Sequence, residues 1–512
     1  MSHQDRAPAQ PLAGGQVIVA AVILALANFT VVLDTTIANV SVPHIAGALA
    51  VSPSQGTWVI TSYSVAEAIT VPLTGWLVQR FGGVKVFVAA ILGFGAFSML
   101  CGLAPSFSTL VAFRVLQGFC GGPIMPTSQT LLLSIFPKER SGQAIGLWSM
   151  TTVVGPIAGP LLGGTISDNI GWSWIFFINV PVALGVALGA WTMLRAHETS
   201  TRRVPVDYVG LGLLVLWVGS LQIMLDRGKE LEWFASTTIV GLAILAAIGF
   251  ISFLIWELTS DNPIVNLRVF RHRGFVVGVM IISLTFGTFF STVVLIPLWL
   301  QTSIGYTATW AGYAAAFNGV LAVVMSPVVG RFIGRVDPRL MLAFGVCGLG
   351  AVAFWRSNFT TDVTFWGVAL TFLAQGFFLP FFFVTATSLT LSSVLPEETA
   401  SAAGLQNFLR TSGAAFATSI MTTAWDNIAT EKRSLLVGHL NGVAQTSDAM
   451  IARGLTHDQA IGQIDRLVQQ QATMLATDHL LLVGSVLFAL AASLAWLAPR
   501  PKRAPAAGGG GH

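Results

Sequence analysis

The sequence predicts an all-α integral membrane protein of fourteen transmembrane helices, built as two six-helix bundles plus a two-helix insertion. Three observations carry that expectation. Of the 512 residues, 54% are hydrophobic and only 9% charged, whereas an ordinary soluble domain carries about 25% charged residues. The mean hydropathy of +0.75 implies more apolar surface than soluble cores of this length bury, so lipid must serve as solvent. Finally, stretches separated by 252 to 258 residues echo one another.

A spanning helix needs roughly 20 mostly apolar residues, because the hydrocarbon layer is about 30 Å thick and a helix rises about 1.5 Å per residue. That rule places spans near 15–40, 54–78, 84–104, 107–135, 142–166, 172–194, 207–225, 236–257, 274–301, 309–333, 339–356, 363–394, 399–427 and 478–498. The first runs long and flows into polar intramembrane positions, so it reads as a retained helix and not a signal peptide. The chain thus divides into a cytoplasmic segment 1–14, an N-terminal six-helix bundle 15–200 and an inserted hairpin 201–260. A C-terminal bundle follows over 261–498, with a helical periplasmic loop 428–477, and then a tail 499–512 whose Pro and Gly argue for disorder.

Lys and Arg set the orientation. With the N-terminus cytoplasmic, Arg6, Arg80, Lys85, Lys138, Arg140, Arg195, Arg202, Arg203, Arg268, Arg271, Arg273, Arg331, Arg335, Arg339, Arg500, Lys502 and Arg503 all lie inside. The other face keeps Arg227, Lys229, Arg356 and the four basic residues of the long loop. An even number of spans returns the C-terminus to the cytoplasm.

The echo pairs Thr57-Trp58 with Thr309-Trp310, Gly75 and Arg80 with Gly330 and Arg335, and Leu116-Gln117-Gly118-Phe119 with Ala374-Gln375-Gly376-Phe377. Apolar stretches resemble one another by chance, but three pairs at nearly one offset favour a parallel repeat of six helices. Such a repeat puts the binding cavity between the halves near the midplane. The segments 207–225 and 236–257 have no counterpart and read as the inserted hairpin.

Ionisable side chains at the bilayer centre cost at least about 2.5 to 3.5 kcal/mol, so Asp34, Glu67, Arg114 and Arg410 each need a reason. Asp34 lies about 28 Å into the first helix and Arg114 about 10 Å from the opposite end of the fourth, which are similar depths. The two can meet, as a proton or gating site or as a structural ion pair. Glu67 has no basic residue within a turn; it is either a second proton site or a neutral acid bonded to a neighbouring helix. Arg410 follows Gln406 and Asn407 by one turn, with Gln375 at similar depth, and this polar face either lines a cavity or glues helices together. Trp58 and Trp310, matched across the repeat, are candidate pocket walls.

Gly155, Gly159 and Gly163, with Pro156 and Pro160 beside them, strip one helix face of side chains and weaken its backbone ladder, giving a close-packed, bendable helix. Cys101, Cys120 and Cys347 read as packing residues, without metal-ligand spacing. The basic residues form no stripe for nucleic acid. No GxxxxGK[ST], HExxH, GxSxG or paired-cysteine motif is present, so neither cofactor nor metal is expected and the chain does not read as an enzyme. An ion gradient is the expected energy source, at about 2.3 kcal/mol per charge per 100 mV.

These stretches resemble the fourteen-helix drug:proton antiporter branch of the major facilitator superfamily over nearly the whole chain. The carrying residues are Leu33 to Val40, Gln55 to Ile60, Gly75 to Lys85, Arg114 to Gly118, Gly155 to Gly164 and Ser220 to Glu232. The resemblance places the family's first-helix signature on Asp34 and its proton-linked basic motif on Arg114, Gln117 and Gly118. Its antiporter motif falls on Gly155, Pro156, Gly159, Pro160, Gly163 and Gly164. The family's loop motif Gly-x-Leu-x-Asp-Arg-x-Gly-Arg-Lys is matched at Gly75, Leu77, Arg80 and Gly82, but Gln79 replaces the acid and Gly83-Val84 the basic pair. The glycines preserve the tight turn, while the acid that a charge-based lock between the halves would use is replaced by Gln79.

The resemblance implies proton-driven efflux of small hydrophobic drugs across a Gram-negative inner membrane, with a periplasmic adaptor and an outer-membrane channel as partners. Asp34, Glu67 and Arg114 are the expected proton-coupling residues, and Trp58, Gln375, Gln406, Asn407 and Arg410 the expected cavity. Ile461, Ile464, Leu467, Val468, Gln471 and Leu475 follow helical spacing in the loop, either a stripe for the adaptor or a hairpin packed on its own pump. The alternatives are a dedicated exporter of a metabolite, lipid or peptide, and a membrane sensor or channel on the same scaffold.

Overall fold

The structure is a computed structural model that describes residues 14–137, 140–333 and 335–498. The expected N-terminal segment (apart from Gly14), Lys138 and the tail 499–512 lie outside those residues. Helix dominates, and among the described residues there is no strand beyond an isolated bridge between Ile333 and Val336.

The N-bundle comprises α1 (Gly15–Ala48), α2 (Pro53–Gly56), α3 (Trp58–Thr70), α4 (Thr74–Phe81), α5 (Gly83–Gly102), α6 (Phe107–Gly121), α7 (Ile124–Ile135), α8 (Ser141–Asn169), α9 (Trp174–Phe177) and α10 (Asn179–Leu194). The hairpin is α11 (Tyr208–Arg227) and α12 (Thr237–Thr259). The C-bundle comprises α13 (Arg273–Trp299), α14 (Ala308–Phe332), α15 (Pro338–Arg356), α16 (Phe365–Ser392), α17 (Thr399–Gly438), α18 (Val443–Ala452) and α19 (His457–Leu494).

Among the described residues ten helices are long and apolar enough to cross a membrane, and α8 makes eleven when its two arms, bent by 45°, are taken as one span. The other three expected spans are interrupted or polar. Pro72 separates α3 from α4 and Pro123 falls between α6 and α7, each withholding a backbone N–H, while α17 carries Gln406, Asn407 and Arg410. Side-chain caps fix the starts: Ser106 accepts from the N–H of Thr109, Asp207 from Gly210 and Thr456 from Gln459. Leu188, Ile255 and Ile420 are exposed, as lipid-facing side chains must be.

We call the face where α1 begins the near face and the other the far face. The two bundles meet at the near face through contacts that repeat across the echo. Gly75 of α4 lies against Ser401 of α17, and Gly404 of α17 against the Val71 carbonyl; on the other side Gly330 of α14 lies against the Gly142 carbonyl of α8, and Gly146 against the Ser326 carbonyl. A Cβ at Gly142 would sit 2.7 Å from the Gly330 carbonyl oxygen, a distance real side chains do not reach, so glycine is required there. Within each bundle the echo repeats again: Gly118 abuts the Tyr63 carbonyl and Gly376 the Asn318 carbonyl. Among the described residues no ion pair crosses between the bundles at the near face, so the seam rests on close glycine contacts and not on charge.

The hairpin bridges the bundles. Its α11 packs on α3 and reaches α17, where the Trp217 ring meets Phe408 at 5.6 Å. Ser419 donates to the Leu225 carbonyl at 2.8 Å, Trp233 Nε1 to Thr423 Oγ1 at 2.9 Å, and Lys229 pairs with Asp426 at 2.5 Å.

The expected loop 428–477 is largely the outward continuation of two helices. Helix α17 runs unbroken to Gly438, α19 starts at His457, and Arg433 pairs with Asp465 at 2.5 Å. Val468 is buried while Ile461, Leu467 and Leu475 are exposed, so the apolar spacing splits between packing and surface. Two sequence readings are corrected. Arg356, counted with the loop charges, is 1% exposed, because its guanidinium stacks on Phe372 and bonds Thr371 and Gln375. Cys347, read as a packing residue, is exposed, whereas Cys101 is buried.

Candidate functional site

Helix α1 brings Asp34 to the middle of the N-bundle, where it is fully buried. Burying an ion costs several kcal/mol unless it is paired and hydrogen-bonded, and here a cation and two amides answer it. Arg114 of α6 places Nη1 2.6 Å from Asp34 Oδ2, while Gln117 Nε2 and Asn179 Nδ2 donate to Oδ1 at 3.1 and 2.8 Å. Arg114 is anchored in turn: Nε donates to the Val59 carbonyl at 3.0 Å, Nη1 also reaches Gln117 Oε1 at 2.8 Å, and the Tyr63 ring covers the guanidinium at 4.2 Å. Asn179 is shared with Ser98 Oγ at 3.1 Å, which donates to the Phe176 carbonyl. Three donors from two helices thus hold one carboxylate of α1.

The sequence reading found Asp34, Arg114 and Gln117 but missed Asn179, Ser98 and Tyr63. Asn179, the first residue of α10, is a neutral amide in an apolar run, a weaker signal than the charge that singled out Arg410.

Between the bundles lies a cavity of about 500 Å³. Its lining runs from Met125 and Arg410 at mid-depth to Asp226, Lys229 and Glu230 at the far-face end of α11, while the glycine seam closes the near face. Glu67 and Arg410 both line it. Arg410 is 2% exposed and is held by three rings, Phe286 at 5.0 Å, Phe383 at 5.4 Å and Trp148 at 5.9 Å. Such rings attract a cation through their quadrupoles. Among the described residues no carboxylate lies within ion-pair distance of Arg410, and its Nε is without a partner. The site therefore presents an acid and a cation in an apolar, aromatic chamber.

The remaining expected cavity residues are placed elsewhere. Asn407 sits in the seam and donates to Gln129 Oε1 across the bundles at 2.9 Å; Gln406, 2% exposed, is buried on the same helix. Gln375 does not reach the cavity because Arg356 Nη2 holds its Oε1 at 2.7 Å. Trp58 does not line it either: its ring lies 5.8 Å from the Arg227 guanidinium of the hairpin. Trp310 is 54% exposed.

The gating residues divide similarly. Gly155, Gly159 and Gly163 press on Val32, Thr36 and Ile37 of α1, Thr36 Oγ1 donates to the Gly155 carbonyl at 3.2 Å, and Pro156 lines the cavity. Gly164 has open space beside it, and the Pro160 side chain lies outside the described residues. Gly82 adopts φ +95°, a conformation that glycine alone takes freely. The carboxylate at this turn comes from Glu198, unnoticed in the sequence, which accepts from the N–H groups of Val84 and Lys85 at 2.9 and 3.1 Å. Arg80 donates to the Val204 carbonyl.

Comparison with known proteins agrees with this architecture. The chain is 44% identical over 508 residues to the multidrug export protein EmrB of Escherichia coli (strain K12), covering 98% of this chain and 99% of that one. It is 43% identical over 506 residues to the fatty acid resistance protein FarB of Neisseria gonorrhoeae, with 98% and 99% covered. Among solved structures, a double-tryptophan mutant of XylE superposes with a TM-score of 0.61 at 15% identity, covering 96% of this chain and 97% of that one; at that identity it speaks for the fold alone. Residues 24–418 match the Major Facilitator Superfamily. This multi-pass membrane chain belongs to the Major Facilitator Superfamily.

Proposed function

We propose that the protein is a proton-driven exporter of hydrophobic toxic compounds, working by alternating access. The carrying observation is the aromatic cavity that holds Glu67 and Arg410 together, beside the buried Asp34–Arg114 cluster. An apolar compound loses water on entering such a chamber, and a charged or polar end finds either sign of partner there. Asp34 and Glu67 take up protons from the far face; protonating Asp34 cancels the charge that Arg114 answers and frees the donors that tie α1, α6 and α10 together. The halves then rock, parting the glycine seam and closing the far face. No bond is made or broken in the cargo, so the activity is transport, driven by the proton gradient with no cofactor.

In this reading the near face is cytoplasmic, both termini lie inside, and the membrane is the inner membrane of a Gram-negative cell. The exposed ends of α17 and α19 with α18 then project into the periplasm, toward an adaptor of the EmrA type and, through it, an outer-membrane channel of the TolC type. Full-length similarity to a protein named for multidrug export supports the drug cargo. The similarity to FarB favours a second reading, a dedicated exporter of lipid-like acids, for which Arg410 supplies the carboxylate's partner.

Purified protein in proteoliposomes tests the proposal: added drug should stimulate proton flux, and drug movement should stop when the gradient is collapsed. Export that continues unchanged without a gradient would overturn it. A panel of fatty acids against cationic and neutral drugs separates the two readings.

A further inference from the structure

A second chamber lies outside the transport path. On the lipid-facing flank of the N-bundle at the near face, the ends of α4, α5 and α6 enclose a groove of about 590 Å³ that reaches Pro123. Its walls are apolar, with Phe81 and Phe119 the exposed rings and Val86 and Ala90 the floor. Cys120, one of its lining residues, packs on Gly93 of α5: a Cβ on that glycine would stand 2.6 Å from the sulfur. The mouth carries two cations, Arg80 and Lys85.

We propose that this groove binds one anionic phospholipid, its phosphate between Arg80 and Lys85 and an acyl chain against Phe81 and Phe119. The charge count at the mouth favours an anion. Arg80 spends one Nη1 on the Val204 carbonyl and rests on the rings of Trp76 and Phe81 at 5.3 and 5.6 Å, which leaves its other donors to a ligand. Among the described residues neither Arg80 nor Lys85 has a carboxylate within ion-pair distance. The acid close by, Glu198, is turned onto the N–H groups of Val84 and Lys85, while Arg202, bonded through its backbone N–H to the Gln79 carbonyl, adds a further positive charge to the corner.

The geometry suits a lipid over a free anion. The cations sit where α5 leaves the near face, and the groove follows α5 inward from Lys85 to Ala90, about 7.5 Å at the helical rise, enough for the first carbons of an acyl chain. A basic pocket between membrane helices is the kind of site that selects anionic headgroups. A zwitterionic lipid brings its own ammonium against two cations, and inorganic phosphate has nothing to cover the apolar walls.

Cys120 lines the groove and reports its occupancy. The full-length protein is placed in phosphatidylcholine nanodiscs with increasing phosphatidylglycerol, and alkylation by a maleimide is read at Cys120 by mass spectrometry, with Asn262→Cys, in the exposed connection after α12, as internal reference. Phosphatidylglycerol should slow Cys120 labelling and leave the reference unaffected. Lys85→Gln should raise the half-protecting lipid fraction about fivefold, the factor expected for one basic residue at an anionic headgroup, and Arg80→Gln with Lys85→Gln should abolish protection. Equal protection by phosphatidylethanolamine, protection by inorganic phosphate alone, or unchanged protection in Lys85→Gln would each overturn the proposal.

Discussion

Asn179 donates to the oxygen of Asp34 that Arg114 leaves free: its Nδ2 lies 2.8 Å from Oδ1, while Arg114 Nη1 lies 2.6 Å from Oδ2. Helices α6 and α10 thereby grip one carboxylate of α1, and the state of that carboxylate sets how firmly three helices are joined.

Asp34→Asn keeps the shape and removes the charge. It should abolish gradient-driven export while substrate binding, followed by fluorescence or calorimetry, persists. Full export by this variant would remove Asp34 from the coupling.

Arg114→Ala leaves Asp34 buried without its cation, which costs about 3 to 5 kcal/mol. Thermal unfolding in detergent should move down markedly. Combining it with Asp34→Asn should recover much of the stability and none of the export, which separates the fold-holding part of the pair from its transport part.

Asn179→Ala removes a hydrogen bond to a charged group, a loss of about 1.5 to 3 kcal/mol. The expected outcome is a smaller drop in unfolding temperature than for Arg114→Ala, with export reduced but still gradient-dependent.

Glu67→Gln fixes the cavity acid in its neutral form. Export should lose part of its dependence on pH, measured as initial rates across a pH series at constant gradient. An identical profile would leave Glu67 as a structural residue.

Gly330→Val puts a side chain where Gly142 presents its carbonyl. The near-face seam should fail to close, so that cysteines placed along the lower cavity react with reagents from that face. In contrast, Lys229→Cys with Asp426→Cys joins the hairpin to α17, and oxidation should arrest export until a reductant is added.

The membrane class and the two-bundle plan were legible because a spanning helix and a repeat each leave a long signal. The Gly75 and Gly330 echo even marked the seam. Asp34, Arg114 and Glu67 were legible because a charge in an apolar run needs a reason. Asn179, Ser98 and Tyr63 were not, since neutral polar residues in membrane helices are common and only folding brings these three to Asp34. Gln375 was misjudged because depth along a helix says nothing about which face a side chain takes, and Arg356 because a charge at a helix end reads equally as loop. The missing acid of the loop motif led away from Glu198, which arrives from a different segment of chain.

The glycine seam also determines how the molecule comes apart. Among the described residues no hydrogen bond or ion pair joins α8 to α14, so separating these two helices strands no donor; dispersion between close-set backbones is what is lost. Such a joint opens and re-forms reversibly, like a pair of smooth plates, and leaves the direction of each stroke to whatever occupies the chamber on its other side.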